Sequence, residues 1–93
     1  MSRIDFLREH KIEAVDIRAV HGGDINDSFC ITTAGGKQYF LKENNAHSFP
    51  SMFTREAEGL AALKAHSSLR VPSVIANDSH ADKQWLLMEW LQQ

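Results

Sequence analysis

Residues 51–66 form the clearest helical segment of this chain, and they carry a carboxylate where a carboxylate is hard to accommodate. At about 100° per residue, Met52, Leu63, Glu56, Leu60 and Phe53 fall in that order within an arc of about 100°. Glu56 therefore lies inside the apolar stripe, whereas Glu58 falls on the opposite face. An isolated charge turned toward a core is prohibitively costly, so Glu56 must be paired, hydrogen-bonded or protonated. Whatever fold the chain adopts has to bring it a partner.

The other segments read mostly as strands. Residues 2–11 predict a short opening helix, with Ser2 and Asp5 at capping-box spacing and Ile4 and Leu7 one turn apart. Val15, Ile17 and Ala19 alternate with Asp16 and Arg18, the period of a half-buried strand. His21-Gly22-Gly23-Asp24-Ile25-Asn26 punctuates it, and a second strand follows with Phe29 and Ile31 on one face and Ser28 and Cys30 on the other. Ala34-Gly35-Gly36-Lys37 reads as a tight hairpin turn whose paired glycines supply positive φ, leading into a third strand, Gln38–Lys42. Residues 44–50 read as loop, with Pro50 in the first turn of the long helix. Val71-Pro72 starts an extended stretch through Val74 and Ile75, and residues 77–82 read as a polar turn. Trp85-Leu86-Leu87-Met88 fits a buried central strand. The order helix, three strands, helix, two strands predicts a single α+β domain with an antiparallel sheet and no internal repeat.

Composition excludes several classes. A chain of 93 residues makes one small domain, with hydrophobic and charged fractions of 43% and 24% ordinary for a globular protein. A net charge of −2 offers no basic footprint for nucleic acid. Five scattered histidines lack paired ligand spacing, so no metal site is expected. The single cysteine, Cys30, excludes an internal disulfide. No apolar run approaches the roughly 20 residues of a membrane span, and the N-terminus lacks a signal-peptide core. A cytoplasmic setting is the expectation.

Lys42 is the candidate partner for Glu56, because alternation puts it on the same strand face as Phe40. The alternative is that Lys42 ends an edge strand and reaches water while Glu56 pairs with another cation. A strand lysine, a loop, and a helix whose inward glutamate meets that lysine make up the ion pair of a kinase N-terminal lobe, where the lysine touches the α- and β-phosphates. Gly22-Gly23 lies one hairpin upstream of Lys42, and adjacent glycines let backbone amides approach an anion; a plain turn is the alternative. Leu87-Met88-Glu89-Trp90-Leu91 leaves the apolar strand as a hinge would, with Trp90 either covering the sheet end or lining a nucleotide cleft.

These segments resemble the fructosamine kinase (ketosamine-3-kinase) family, within the aminoglycoside-phosphotransferase and choline-kinase-like group. The resemblance is carried by Gly22-Gly23-Asp24-Ile25-Asn26, Tyr39-Phe40-Leu41-Lys42, Met52-Phe53-Thr54-Arg55-Glu56-Ala57-Glu58-Gly59-Leu60, Arg70-Val71-Pro72-Ser73-Val74 and Leu87 to Leu91. It implies a protein-kinase-like N-terminal lobe over residues 1–93: a five-stranded antiparallel sheet with one long packed helix and a short N-terminal helix. It also implies Lys42 as the phosphate-binding lysine, Glu56 as its partner, and Gly22, Gly23, Asp24, Ile25 and Asn26 as the loop over the nucleotide. The backbones of Glu89 and Leu91 would receive adenine, with Met88 behind it. Members of the family use ATP and Mg²⁺ to phosphorylate a sugar hydroxyl of a ketosamine, free or on a glycated protein lysine, which promotes deglycation.

Two departures qualify the resemblance. Some members carry a cysteine in the glycine loop linked to redox control; here that loop holds Asp24 and Ile25, and Cys30 lies further on in a strand. The family's His-Gly-Asp…Asn catalytic segment and metal-binding aspartate have no match in this chain, and His80-Ala81-Asp82 reads as a turn. The expectation is that no catalytic residue lies within residues 1–93, and that the Mg²⁺ ligands belong to a C-terminal lobe. The chain alone is then expected to be inactive, with an uncovered lobe-facing surface that favours self-association. Two other readings stand beside this one: a kinase of the aminoglycoside or choline type, and a non-catalytic nucleotide-binding or interaction module.

Overall fold

The computed structural model describes residues 2–20, 26–66, 68 and 70–91. Its elements run α1 (Arg3–Glu9), β1 (Ala14–Val20), β2 (Asp27–Thr33), β3 (Gln38–Asn45), α2 (Met52–His66), β4 (Val74–His80) and β5 (Lys83–Glu89). The strands form one five-stranded sheet in the order β1-β2-β3-β5-β4, every neighbouring pair antiparallel. This is the α+β architecture of a kinase-like N-terminal lobe, as the sequence predicts.

Local chemistry starts and stops each element. Ser2 Oγ accepts from the Asp5 amide at 3.1 Å and Asp5 Oδ2 accepts from the Ser2 amide at 3.0 Å, a complete capping box. α1 ends as Lys11 takes a left-handed φ of 62° and the Ile12 amide donates to the Leu7 carbonyl at 2.9 Å. Between β2 and β3 only Gly36 takes a positive φ, 87°, with its amide donating to the Thr33 carbonyl. The turn thus needs one glycine in the left-handed region, not the pair that the sequence suggests.

Two apolar clusters form because the sheet is covered on both faces. On one, α1 contributes Phe6 and Leu7 to Ile12, Ile31, Leu41, Trp85 and Leu87, with the Phe6 and Trp85 rings stacked at 5.3 Å. On the other, Phe53 of α2 meets Leu86 and Met88, with Phe40, Met52, Ala57, Leu60 and Val74 packed around them. Each such fully buried side chain contributes roughly 1.5–3 kcal/mol. β5 lies between β3 and β4 and faces both clusters, so Gln84 through Met88 are all buried. That is why its apolar run is continuous and not alternating.

Four expectations need correction. Asn77 to His80 belong to β4, and only Ala81 and Asp82 turn the chain. β4 is a sheet edge with mostly exposed residues, so it carries polar side chains that discourage pairing with other chains. β3 runs on through Asn45 instead of ending at Lys42. Pro50 precedes α2 and lies outside its first turn, which opens after Ser51 at φ 61°. Leu63, placed in the apolar stripe by periodicity, is exposed, because the face that α2 turns to the sheet is centred on Phe53, Ala57 and Leu60 and Leu63 falls to one side of it.

Candidate functional site

Cross-strand pairing arranges the α2 side of the sheet into rows. Val20, Ser28, Lys42 and Leu86 form one, and Arg18, Cys30, Phe40 and Met88 the next. α2 lies against β4 and β5, leaving the β1 side of this face open. The open part forms a cleft of about 760 Å³, walled by Arg18 and Val20 from β1, Phe40 and Lys42 from β3, and Met88 from β5. Glu89, Trp90 and Leu91 close its far end as the chain leaves the sheet.

Lys42 and Glu56 meet at the inner edge of this cleft, Nζ to Oε2 at 2.8 Å. Their side chains are 20% and 25% exposed. Partial burial strengthens the pair relative to a surface ion pair, while the open side lets an incoming anion reach the ammonium. The pairing resolves the problem posed by Glu56: its place among Met52, Phe53, Ala57 and Leu60 turns it toward β3, and period-2 alternation turns Lys42 toward it. Trp90 stacks on Phe40 with ring centroids 5.8 Å apart, so it does line the cleft. Together these groups can bind a flat apolar ring at one end and an anionic group at the other.

The other sequence-derived candidates divide. Met88 is buried on the cleft wall, and Glu89 and Leu91 border it. The Glu89 amide already donates to the Ser73 carbonyl at 2.9 Å, and the Ser73 amide donates back to Glu89 Oε1 at 3.2 Å. Asn26 does not point freely into the cleft: its Oδ1 accepts from Asn44 Nδ2 at 2.7 Å. Gly22, Gly23, Asp24 and Ile25 lie outside the described residues. Cys30 is buried and free, in the row between Arg18 and Phe40.

Two features escaped the sequence reading. Arg18, which alternation places only on the strand face opposite Ile17, lines the cleft. On the opposite face of the sheet, Glu43 is 3% exposed and accepts from Arg3 at 3.0 Å, Trp85 Nε1 at 2.8 Å and Lys83 at 3.4 Å. Burial by itself would raise the Glu43 carboxyl pKa; the hydrogen bonds from Arg3 and Trp85 and the charges of Arg3 and Lys83 outweigh it and hold the group below its ordinary 4.5. All three partners lie about 40 residues from Glu43 in the chain, and no local spacing announces them. Among the described residues no group of three or more His, Cys, Asp or Glu could hold a metal ion, and no helix is long and apolar enough to cross a membrane.

Comparison with known proteins adds an independent line. The chain is 41% identical over 75 residues to a "probable ketoamine kinase" of the cyanobacterium Synechocystis, covering 81% of this chain and 25% of that protein. It is 40% identical over 75 residues to a protein of the same name from Lactiplantibacillus plantarum, and 31% identical over 77 residues to one from Vibrio cholerae. The L. plantarum match covers 81% of this chain and 25% of the relative, and the V. cholerae match 83% and 26%. The chain thus spans about a quarter of the length of the curated relatives it matches. The sequence profile of the family described as fructosamine kinase matches residues 2–93, which include every residue that builds the sheet, α2 and the cleft between them. With a kinase-like lobe, a lysine–glutamate pair at its cleft and a profile match along its length, this chain belongs to the fructosamine kinase family.

Proposed function

We propose that this chain is the nucleotide-binding lobe of an ATP-dependent ketosamine kinase. The observation that carries the reading is the Lys42–Glu56 pair, 2.8 Å apart at the wall of a cleft large enough for a nucleoside. Lys42 would hold the α- and β-phosphates and Glu56 would hold Lys42 in place, a division of labour that lets binding energy go into orienting the γ-phosphate. Phe40, Met88 and Trp90 would enclose the adenine. Because the Glu89 amide is spent on Ser73, the adenine amino group would approach the Glu89 carbonyl and the ring the Leu91 amide. Gly22 to Asn26 would cover the phosphates.

The names of the relatives, probable ketoamine kinases, support a ketosamine acceptor over an aminoglycoside or choline. In this reading, γ-phosphate passes to a sugar hydroxyl of the ketosamine, free or attached to a protein lysine. Among the described residues no group of three or more His, Cys, Asp or Glu could hold a metal ion, so in this reading Mg²⁺ and the catalytic carboxylates would belong to a C-terminal lobe. The chain alone would then bind nucleotide weakly and turn nothing over.

The test is ATP affinity and turnover of a synthetic ketosamine in the full-length protein with Lys42→Ala. We expect loss of turnover by several orders of magnitude, with the far-ultraviolet circular dichroism unchanged. Unaltered turnover in a folded variant would remove Lys42 from the site.

A further inference from the structure

The Lys42–Glu56 pair has a second polar rung beside it between β3 and α2. Asn44 follows Lys42 by two residues on the same face of β3, and Met52 precedes Glu56 by one helical turn. Asn44 Nδ2 lies 3.3 Å from Met52 Sδ, and Lys42 Nζ lies 2.8 Å from Glu56 Oε2. A two-residue step on a strand and a four-residue step on a helix both cover about 6–7 Å, so the rungs sit in register.

The Asn44 side chain has more to do than this rung. It is 6% exposed, and every polar hydrogen it carries is used. One amide hydrogen serves Asn26 Oδ1 at 2.7 Å and the other serves Met52, while Oδ1 accepts from Gln84 Nε2 at 2.6 Å. Gln84 in turn spends its second hydrogen on the Phe49 carbonyl, 2.7 Å away, in the turn that leads into α2. One buried carboxamide therefore touches the last residue of the glycine segment, the first residue of α2, and a β5 side chain that holds the approach to α2. A buried network with all partners satisfied has few alternative arrangements.

We propose that Asn44 is a positioning residue that sets the Lys42–Glu56 pair and the end of the glycine segment together, so that neither adjusts alone. This rests on the nucleotide-binding reading for its purpose, while its geometry can be tested without nucleotide. Loosening the Asn44 rung should let the start of α2 move, lengthen the contact between Glu56 and Lys42, and leave the lysine amine more available.

The experiment is amine acylation of the full-length protein, with the rate at Lys42 read by mass spectrometry. We expect Asn44→Ala to raise the Lys42 rate about fivefold without nucleotide, which corresponds to about 1 kcal/mol and lies within the range of couplings between neighbouring residues. Glu56→Gln should raise it too, and the double variant should react no faster than Glu56→Gln alone, because Asn44 acts through Glu56. A merely structural role would leave the two effects multiplicative, and that result overturns the proposal. Should Asn44→Ala fail to fold, Met52→Leu keeps core volume while deleting the sulfur acceptor. It should raise the rate in the same non-multiplicative way, and an unchanged rate in that folded variant also overturns the proposal. ATP with Mg²⁺ is added in a separate arm: protection of Lys42 in the unaltered protein reports on nucleotide binding, and its absence would sink that reading while leaving the coupling measured.

Discussion

Replacing Glu43 by glutamine separates charge from shape at the most deeply buried carboxylate among the described residues. Its two oxygens take three donors, and the loss can be apportioned among them. The Lys83 contact is 3.4 Å long and that side chain is 53% exposed, so its share is close to zero. Arg3 bonds at 3.0 Å but is 34% exposed and can partly rehydrate, which puts its share near the low end of the 1.5–3 kcal/mol typical of hydrogen bonds to charged groups, about 1.5 kcal/mol. Trp85 Nε1 keeps an oxygen acceptor in the variant but a neutral one, a loss of about 0.5–1 kcal/mol. Glu43→Gln should therefore destabilise by about 2–2.5 kcal/mol at pH 7, measured by urea denaturation followed by tryptophan fluorescence. The pH dependence has a fixed sign. The folded carboxyl titrates below its ordinary 4.5, so its contribution is complete above that value and disappears as pH falls through it and past the depressed folded value. The gap between wild type and variant should thus be constant from neutrality down to about pH 6 and close in acid. A difference under 0.5 kcal/mol at neutral pH, or one that persists undiminished in acid, would refute the assigned energetics.

Gly36→Ala should cost about 1 kcal/mol or more in thermal or chemical denaturation, because φ is 87° there, whereas Gly35→Ala should be close to neutral. No atom lies within 4 Å of a Cβ built at either glycine, so the contrast isolates backbone conformation from packing. Ser2→Ala should remove about 1 kcal/mol by breaking the capping box, seen as earlier thermal loss of helical circular dichroism. Trp90→Ala should weaken ATP binding severalfold by calorimetry and leave stability within about 1 kcal/mol, since Trp90 is only half-buried and stacks on Phe40. Equal binding by that variant would exclude Trp90 from the nucleotide cleft.

Short-range periodicity made the centre of the site legible. A helical wheel turns Glu56 inward and strand alternation turns Lys42 to meet it, and both are facts about neighbours in sequence. The same logic found β5, whose apolar run has no polar interruption because helices cover both sides. It failed where tertiary context overrides pattern. β4 has no apolar alternation from Asn77 to His80 because an edge strand can solvate both faces, and Leu63 lies at the rim of a stripe whose packed centre is Phe53, Ala57 and Leu60. The Arg3–Glu43–Trp85 cluster and the Asn26–Asn44–Gln84 chain join residues separated by 18 to 42 positions. Their members look like ordinary surface polar residues until the sheet is assembled.

Lys42 and Glu43 are consecutive on β3, yet one is bound to a carboxylate in front of the sheet and the other to two cations behind it. Sliding β3 by a single position against its neighbours would exchange the sides. A glutamate would then confront Glu56, and a lysine would be driven in among Arg3 and Lys83. Misaligned assembly is thereby penalised twice over, by repulsion on each surface, in addition to the apolar groups it would expose. Opposite signs on adjacent residues act as a polarity key for threading this strand, one that an uncharged pair at the same places would not provide.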